Sequence, residues 1–169
     1  MTDLLAPDAA EGGSVRPDAR GRRADAPALA ATPRTAVAEG RVVVGAEALA
    51  RLREGALAKG DALAAAQVAA VLGAKQTSRL IPRCHDVLLH DVHVEFELDE
   101  AGGAVDVRAV TRTDGPTGVE MEALMAVSVA ALTIVDMVKS VAKGAEIAHV
   151  RLLAKTGGRS GGYRRASRN

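Results

Sequence analysis

The stretch from Thr117 to Ser140, TGVEMEALMAVSVAALTIVDMVKS, constrains this chain more than any other. Apolar residues recur on nearly every side of the helix it would form: Val119, Met121, Leu124, Met125, Val127, Val129, Leu132, Ile134, Val135, Met137 and Val138. A helix apolar all round is either a core helix or one covered by another subunit. Thr117 and Glu120 have the T-x-x-E spacing that predicts a capping box at its start. Asp136 and Lys139 lie one turn apart on a helix predicted to have very little solvent face, so something must compensate for their charge.

The flanking chain supplies a sheet and further helices. Arg41 to Val44 is predicted as a short strand and Ala46 to Ala56 as a helix. Gly60 is placed to leave a helix in the left-handed conformation, and Asp61 to cap the next one. That second helix runs from Ala62 to about Arg79, with Leu63, Val68, Val71 and Leu72 as its apolar residues, and Pro82 forbids its continuation. Val92 to Leu98 alternates strictly, as a half-buried strand does, and returns through Glu100–Gly103 into Val105–Thr111 as a hairpin. Ile147 to Ala154 makes a fourth strand. Omitting one helix, the order is βαββαβ, which predicts an α+β fold: a ferredoxin-like (split βαβ) antiparallel sheet with helices on one face. One sheet face is too small to cover so apolar a helix, so an oligomer is expected.

Residues 1 to 33 are rich in Ala, Pro, Gly, Asp and Arg without periodicity and are expected to be a disordered extension. Residues 34 to 163 form the predicted domain, and residues 164 to 169 a basic tail. The two aromatic residues, Phe96 and Tyr163, argue against a nucleic-acid site built on base stacking. A net charge of +1 provides no global field towards nucleic acid or a membrane. Cys84 is the single cysteine, which excludes an internal disulfide and fits a reducing compartment. Neither a secretory leader nor an uninterrupted apolar run of about 18 residues is visible, so a soluble cytoplasmic protein is expected.

Several residues are placed to carry chemistry. Cys84 and His85 are neighbours, yet one Cys beside one His falls short of the three or four ligands of a zinc set, so no metal is expected. Lys59 in Lys59-Gly60-Asp61, taken by itself, reads as a solvated loop lysine beside two cap residues. The glycines from Gly157 to Gly162 resemble an anion cradle, with Arg159 and Ser160 as added donors, but lack the GxxxxGK[ST] spacing of a nucleotide-binding loop. Asp136 and Lys139 can pair or share a ligand. Glu122 precedes Asp136 by fourteen residues, nearly four turns, which returns it to the same face but separates the two by roughly 21 Å. They cannot grip one reacting atom from one helix. A long ligand, or a second subunit joining opposite helix ends, is required.

Read together, GVEMEAL, LIPRCH, KGD, SVAALTIVDMVK and LLAKTGGRSG resemble the cyclic pyranopterin monophosphate synthase family of molybdenum cofactor biosynthesis, over about residues 32 to 163. The resemblance implies a lyase that converts 3',8-cyclo-7,8-dihydroguanosine 5'-triphosphate to cyclic pyranopterin monophosphate and releases pyrophosphate. It also implies a hexamer, a trimer of dimers with sites at the dimer interface, acting on a small molecule with no cofactor, nucleic acid or membrane. Transferred position by position, the catalytic candidates are Asp136, Lys139, Lys59 and Lys155. The substrate-binding candidates are His85, Cys84, Glu120, Met121, Glu122, Gly157 and Gly158. Asp136 and Lys139 make a plausible acid–base pair, and Lys59, Lys155 and His85 would neutralise the triphosphate. Glu120 and Glu122 would either hold guanine N–H groups or orient lysines. The chain departs from the family pattern at Leu29, Arg83, Asp86 and Pro116. A second reading, a catalytically weakened paralogue that keeps fold and hexamer as a binding protein, rests on those departures.

Overall fold

Strict alternation builds β2 (Asp91–Asp99), and a turn through Gly103, whose φ of 57° is left-handed, folds it onto β3 (Ala104–Gly115). The computed structural model describes residues 31–158 and 161–166. In it, β3 continues past the predicted Thr111 to Gly115, because β1 (Thr32–Val43) pairs with it along its whole length, Thr32 opposite Gly115 and Val43 opposite Ala104. β1 is therefore far longer than the strand expected at Arg41–Val44 and starts among residues expected to be disordered. Its first residues carry Pro33 and no alternation of large apolar residues, so their strand character comes from the neighbours they pair with. Residues 1–30, Leu29 among them, lie outside the described residues.

Two short helices follow: α1 (Ala46–Arg53) and, after a loop, α2 (Ala62–Lys75). Gly60 has φ 93°, and the Asp61 carboxylate accepts hydrogen bonds from the Leu63 and Ala64 amides, each 3.0 Å, as the sequence predicts. α2 ends four residues earlier than expected. Gln76 interrupts it, and Thr77–Leu80 form a separate turn, α3. The long helix α4 (Glu120–Val138) then leads to β4 (Glu146–Thr156), and Tyr163–Arg164 add β5, a pairing the sequence does not announce. The result is one antiparallel sheet in the order β2-β3-β1-β4-β5, an α+β architecture.

α4 crosses one face of this sheet with α2 beside it. Nine of its nineteen residues are buried, Ile134, Val127 and Val138 among them. By length and composition α4 would span a bilayer, but here α2 and the sheet bury one side of it. Small residues permit that closeness. A Cβ on Gly40 of β1 would stand 2.6 Å from a Val127 methyl, and one on Gly73 of α2 would stand 2.7 Å from a Val129 methyl. α2 buries Ala62, Ala66, Ala70, Gly73 and Ala74, the stripe nearest α4. Of the larger residues expected to be its apolar face, Val68 (62%) and Leu72 (56%) are exposed, as is Leu132 of α4 (59%).

β4 is irregular. Ala38 pairs with Leu152 but Val37 with Ala154, and Arg41 pairs with His149 but Val42 with Ile147, so Leu153 and Ala148 are extra residues at two β-bulges. Each bulge resets which face the following side chains occupy.

Candidate active site

The C-terminal end of α4 carries a lysine–aspartate–lysine cluster. The Asp136 carboxylate receives the Lys139 ammonium at 2.7 Å on one oxygen and the Lys59 ammonium at 2.6 Å on the other. Lys59 also donates to the Asp136 carbonyl at 3.0 Å. The Gly60 turn and the Asp61 cap fix where α2 begins, and with it where Lys59 reaches. The two ammonium groups, Lys139 first, hold the Asp136 carboxyl down at a pKa of about 2. All three side chains are exposed in this chain, which corrects the expectation of a buried pair. Lys139 lies just beyond the last residue of α4, at the solvated end of a helix whose middle is buried. The contact between Lys59 and Asp136, which joins residues 77 positions apart, has no sequence signature.

The N-terminal end of the helix carries the second group. The expected capping box is absent. Val119 occupies the cap position without a side-chain hydrogen bond, and the Val119 carbonyl is instead anchored by the buried Thr111 hydroxyl at 3.0 Å. The Glu120 carboxylate lies over Gly118, just ahead of the cap residue, and pairs with Lys155 at 2.8 Å. Lys155 reaches α4 because the bulge at Leu153 sets it opposite Ala36, on the helix face of the sheet. Glu122 is 5% exposed. Burial, and secondarily the charge of Glu120, push its carboxyl above the ordinary range.

A cleft of about 160 Å³ opens here between the Arg83–His85 loop and the start of α4, lined by Arg83, Cys84, His85, Glu120, Met121 and Glu122. Burial, then the nearby Glu122 charge, raise the Cys84 thiol, so it is a neutral lining group rather than a thiolate at neutral pH. Asp86 accepts a hydrogen bond from the Ser78 hydroxyl at 3.2 Å. Gly157 and Gly158, at φ 88° and 85°, end β4 beside Arg34. A Cβ on Gly157 would strike the Pro33 carbonyl and one on Gly158 the Arg34 guanidinium, so only glycine fits. Arg34 in turn donates to the Gly115 carbonyl at 3.2 Å and the Pro116 carbonyl at 3.0 Å, tying the glycine loop to the segment that enters α4. Arg34 was not among the predicted site residues, and Arg159 and Ser160 lie outside the described residues. Among the described residues no three His, Cys, Asp or Glu side chains converge as a metal site would require.

The predicted residues thus form two groups rather than one. Fourteen residue steps along α4, roughly 21 Å, separate Glu122 from Asp136.

The family model described as the MoaC family matches residues 24–158. The chain belongs to the MoaC family. Among its relatives, a protein of Salinibacter ruber is 53% identical over 155 residues, covering 90% of this chain and 91% of the relative. One from Methylobacterium sp. is 54% identical over 134 residues, covering 79% and 84%. One from Desulfitobacterium hafniense is 48% identical over 146 residues, covering 86% and 89%. Each of these MoaC relatives bears the name cyclic pyranopterin monophosphate synthase.

Proposed function

We propose that this MoaC-family protein is a cyclic pyranopterin monophosphate synthase, a lyase of molybdenum cofactor biosynthesis. It rearranges 3',8-cyclo-7,8-dihydroguanosine 5'-triphosphate into cyclic pyranopterin monophosphate and releases pyrophosphate. The observation that carries this reading is the pair of charged groups at opposite ends of α4, in a chain about half identical to proteins named for that activity. Lys59, Lys139 and Lys155 exchange their carboxylate partners for phosphate oxygens when the triphosphate enters. Asp136 stays ionised throughout the neutral range and positions Lys139, the member of the pair through which the proton passes. Glu122, with its raised pKa, keeps a proton to higher pH than an ordinary carboxyl and serves as a donor beside Cys84 and His85.

The active unit is an oligomer, a hexamer built as a trimer of dimers, in which the far end of one α4 meets the near end of another. Two facts support this: the 21 Å between the half-sites, and the exposed Val68, Leu72 and Leu132 on the outer side of the helix pair. The order β4-β1-β3-β2 with antiparallel neighbours supports the ferredoxin-like reading of the sheet. A soluble cytoplasmic location accords with biosynthesis on a small, highly charged substrate.

Incubation of purified protein with the cyclised GTP intermediate is expected to yield cyclic pyranopterin monophosphate and stoichiometric pyrophosphate. A folded oligomer that yields neither would leave the weakened paralogue as the correct reading.

A further inference from the structure

The face of the sheet turned away from α4 holds a second constellation. The register sets Glu95, Arg108, Glu39 and Arg151 in one row across β2, β3, β1 and β4. Beside that row, β5 and the residues after it bring up Arg164 and Arg165, enclosing a groove of about 380 Å³. Four guanidinium groups, those of Arg108, Arg151, Arg164 and Arg165, line it with a single carboxylate, Glu39. Glu39 is already engaged, by Arg151 at 2.6 Å. Arg165 is steered inward by its hydrogen bond to the Leu152 carbonyl at 3.1 Å. Among the described residues no carboxylate lies within ion-pair distance of Arg108 or Arg164. The floor is apolar, formed by Val37, Leu153 and Ala154.

Four like charges gathered around one counter-charge repel each other, and an anion seated among them relieves that repulsion. Guanidinium forks match phosphate oxygens two at a time. We infer that this groove binds an organic polyphosphate, its phosphates held by Arg108, Arg164 and Arg165 and its organic body resting on Val37 and Leu153. It is separate from the candidate active site: Ala154 faces the groove while its neighbour Lys155 faces α4.

The full-length protein should be titrated calorimetrically with ATP and with inorganic pyrophosphate, without divalent metal and at low salt. The variants are Arg108→Gln/Arg164→Gln and, as a counterpart, Lys59→Ala/Lys155→Ala. ATP is expected to bind the parent more tightly than pyrophosphate does, and at least tenfold more weakly to the arginine variant. Neither substituted arginine gives up an ion pair with a described residue, so pyranopterin formation and melting temperature should match the parent. The lysine variant should keep the groove's ATP binding. Unchanged ATP affinity in the arginine variant, or its loss in the lysine variant alone, would overturn the assignment by moving polyphosphate binding to the helix ends. Equal affinities for ATP and pyrophosphate would overturn the organic half of the ligand.

Discussion

Asp136 is gripped from both sides by ammonium groups, and its behaviour with pH follows from that. Its folded pKa, about 2, lies below the ordinary value of about 3.9. Its pairing therefore contributes to stability above the unfolded value, and that contribution disappears as pH falls through the folded one. At enzymatic pH its charge is constant, so any acid limb in the rate between pH 5 and 8 belongs to another group. Replacing Lys139 by Ala should bring the Asp136 titration, followed by carbon-detected NMR, back towards the ordinary value. It should reduce turnover by about 100-fold or more while the melting temperature barely moves, because exposed pairs add little stability. Glu122 has the opposite sign. Its raised pKa means the fold favours the protonated form, so its stability contribution is present below the ordinary carboxylate pKa and lost as pH rises through the raised one. Glu122→Gln, which keeps the shape of the protonated acid, should raise the melting temperature at pH 8 by about 2–4 °C and flatten its dependence on pH, read by calorimetry across pH 4 to 9. The candidate residues were legible in the motifs. Their pairing was not, because the Lys59–Asp136 and Lys155–Glu120 contacts join distant segments that only the fold brings together.

Helices α2 and α4 owe their closeness to the absence of a side chain at Gly73. Gly73→Ala should gain up to about 1 kcal/mol in helix propensity but lose about 1–3 kcal/mol to overpacking against Val129. A net fall in denaturant midpoint is expected, with partial recovery on adding Val129→Ala, which removes the methyl nearest the new Cβ. The sequence predicted α2, its Asp61 cap, the β2–β3 hairpin and α4 because each follows from local rules: a cap residue, a period of two, an apolar run. It missed the first nine residues of β1, where Pro33 and alternating small residues hide a strand that pairing with β3 and β4 imposes. It also assigned Glu120 to a capping box, and there the stronger attraction of a partly buried Lys155 prevails.

At the scale of the molecule, one chain presents two separate charged groups and exposed apolar residues on its helix side. Mixing Lys59→Ala subunits with Lys155→Ala subunits, each inactive alone, should restore pyranopterin formation, since some interfaces then combine two intact halves. No recovery in a verified mixed oligomer would place each complete site within one chain. Leu72→Glu together with Leu132→Glu should lower the mass measured by light scattering and abolish activity while leaving the circular dichroism of the monomer intact. The expectation of a partner comes from the 21 Å argument in the sequence, whereas the exposed apolar surface proposed to receive it was not legible there. Val68 and Leu72 look like core residues until the alanine stripe is seen to take their place.

The extra residue at Leu153 in β4 decides on which side of the sheet a positive charge stands. Were β4 to run straight against β1 from Leu152 onward, Lys155 would fall opposite Thr35 and emerge on the outer face. Glu120 would then be left without its ammonium partner, and the arginine groove would gain a fifth cation. The same residues in the same order would carry the same net charge, yet the molecule would have moved one unit of it from one side to the other. Single-residue insertions and deletions around this bulge therefore act as charge transfers across the sheet, and their effect on activity should exceed that of any neutral substitution in the same strand.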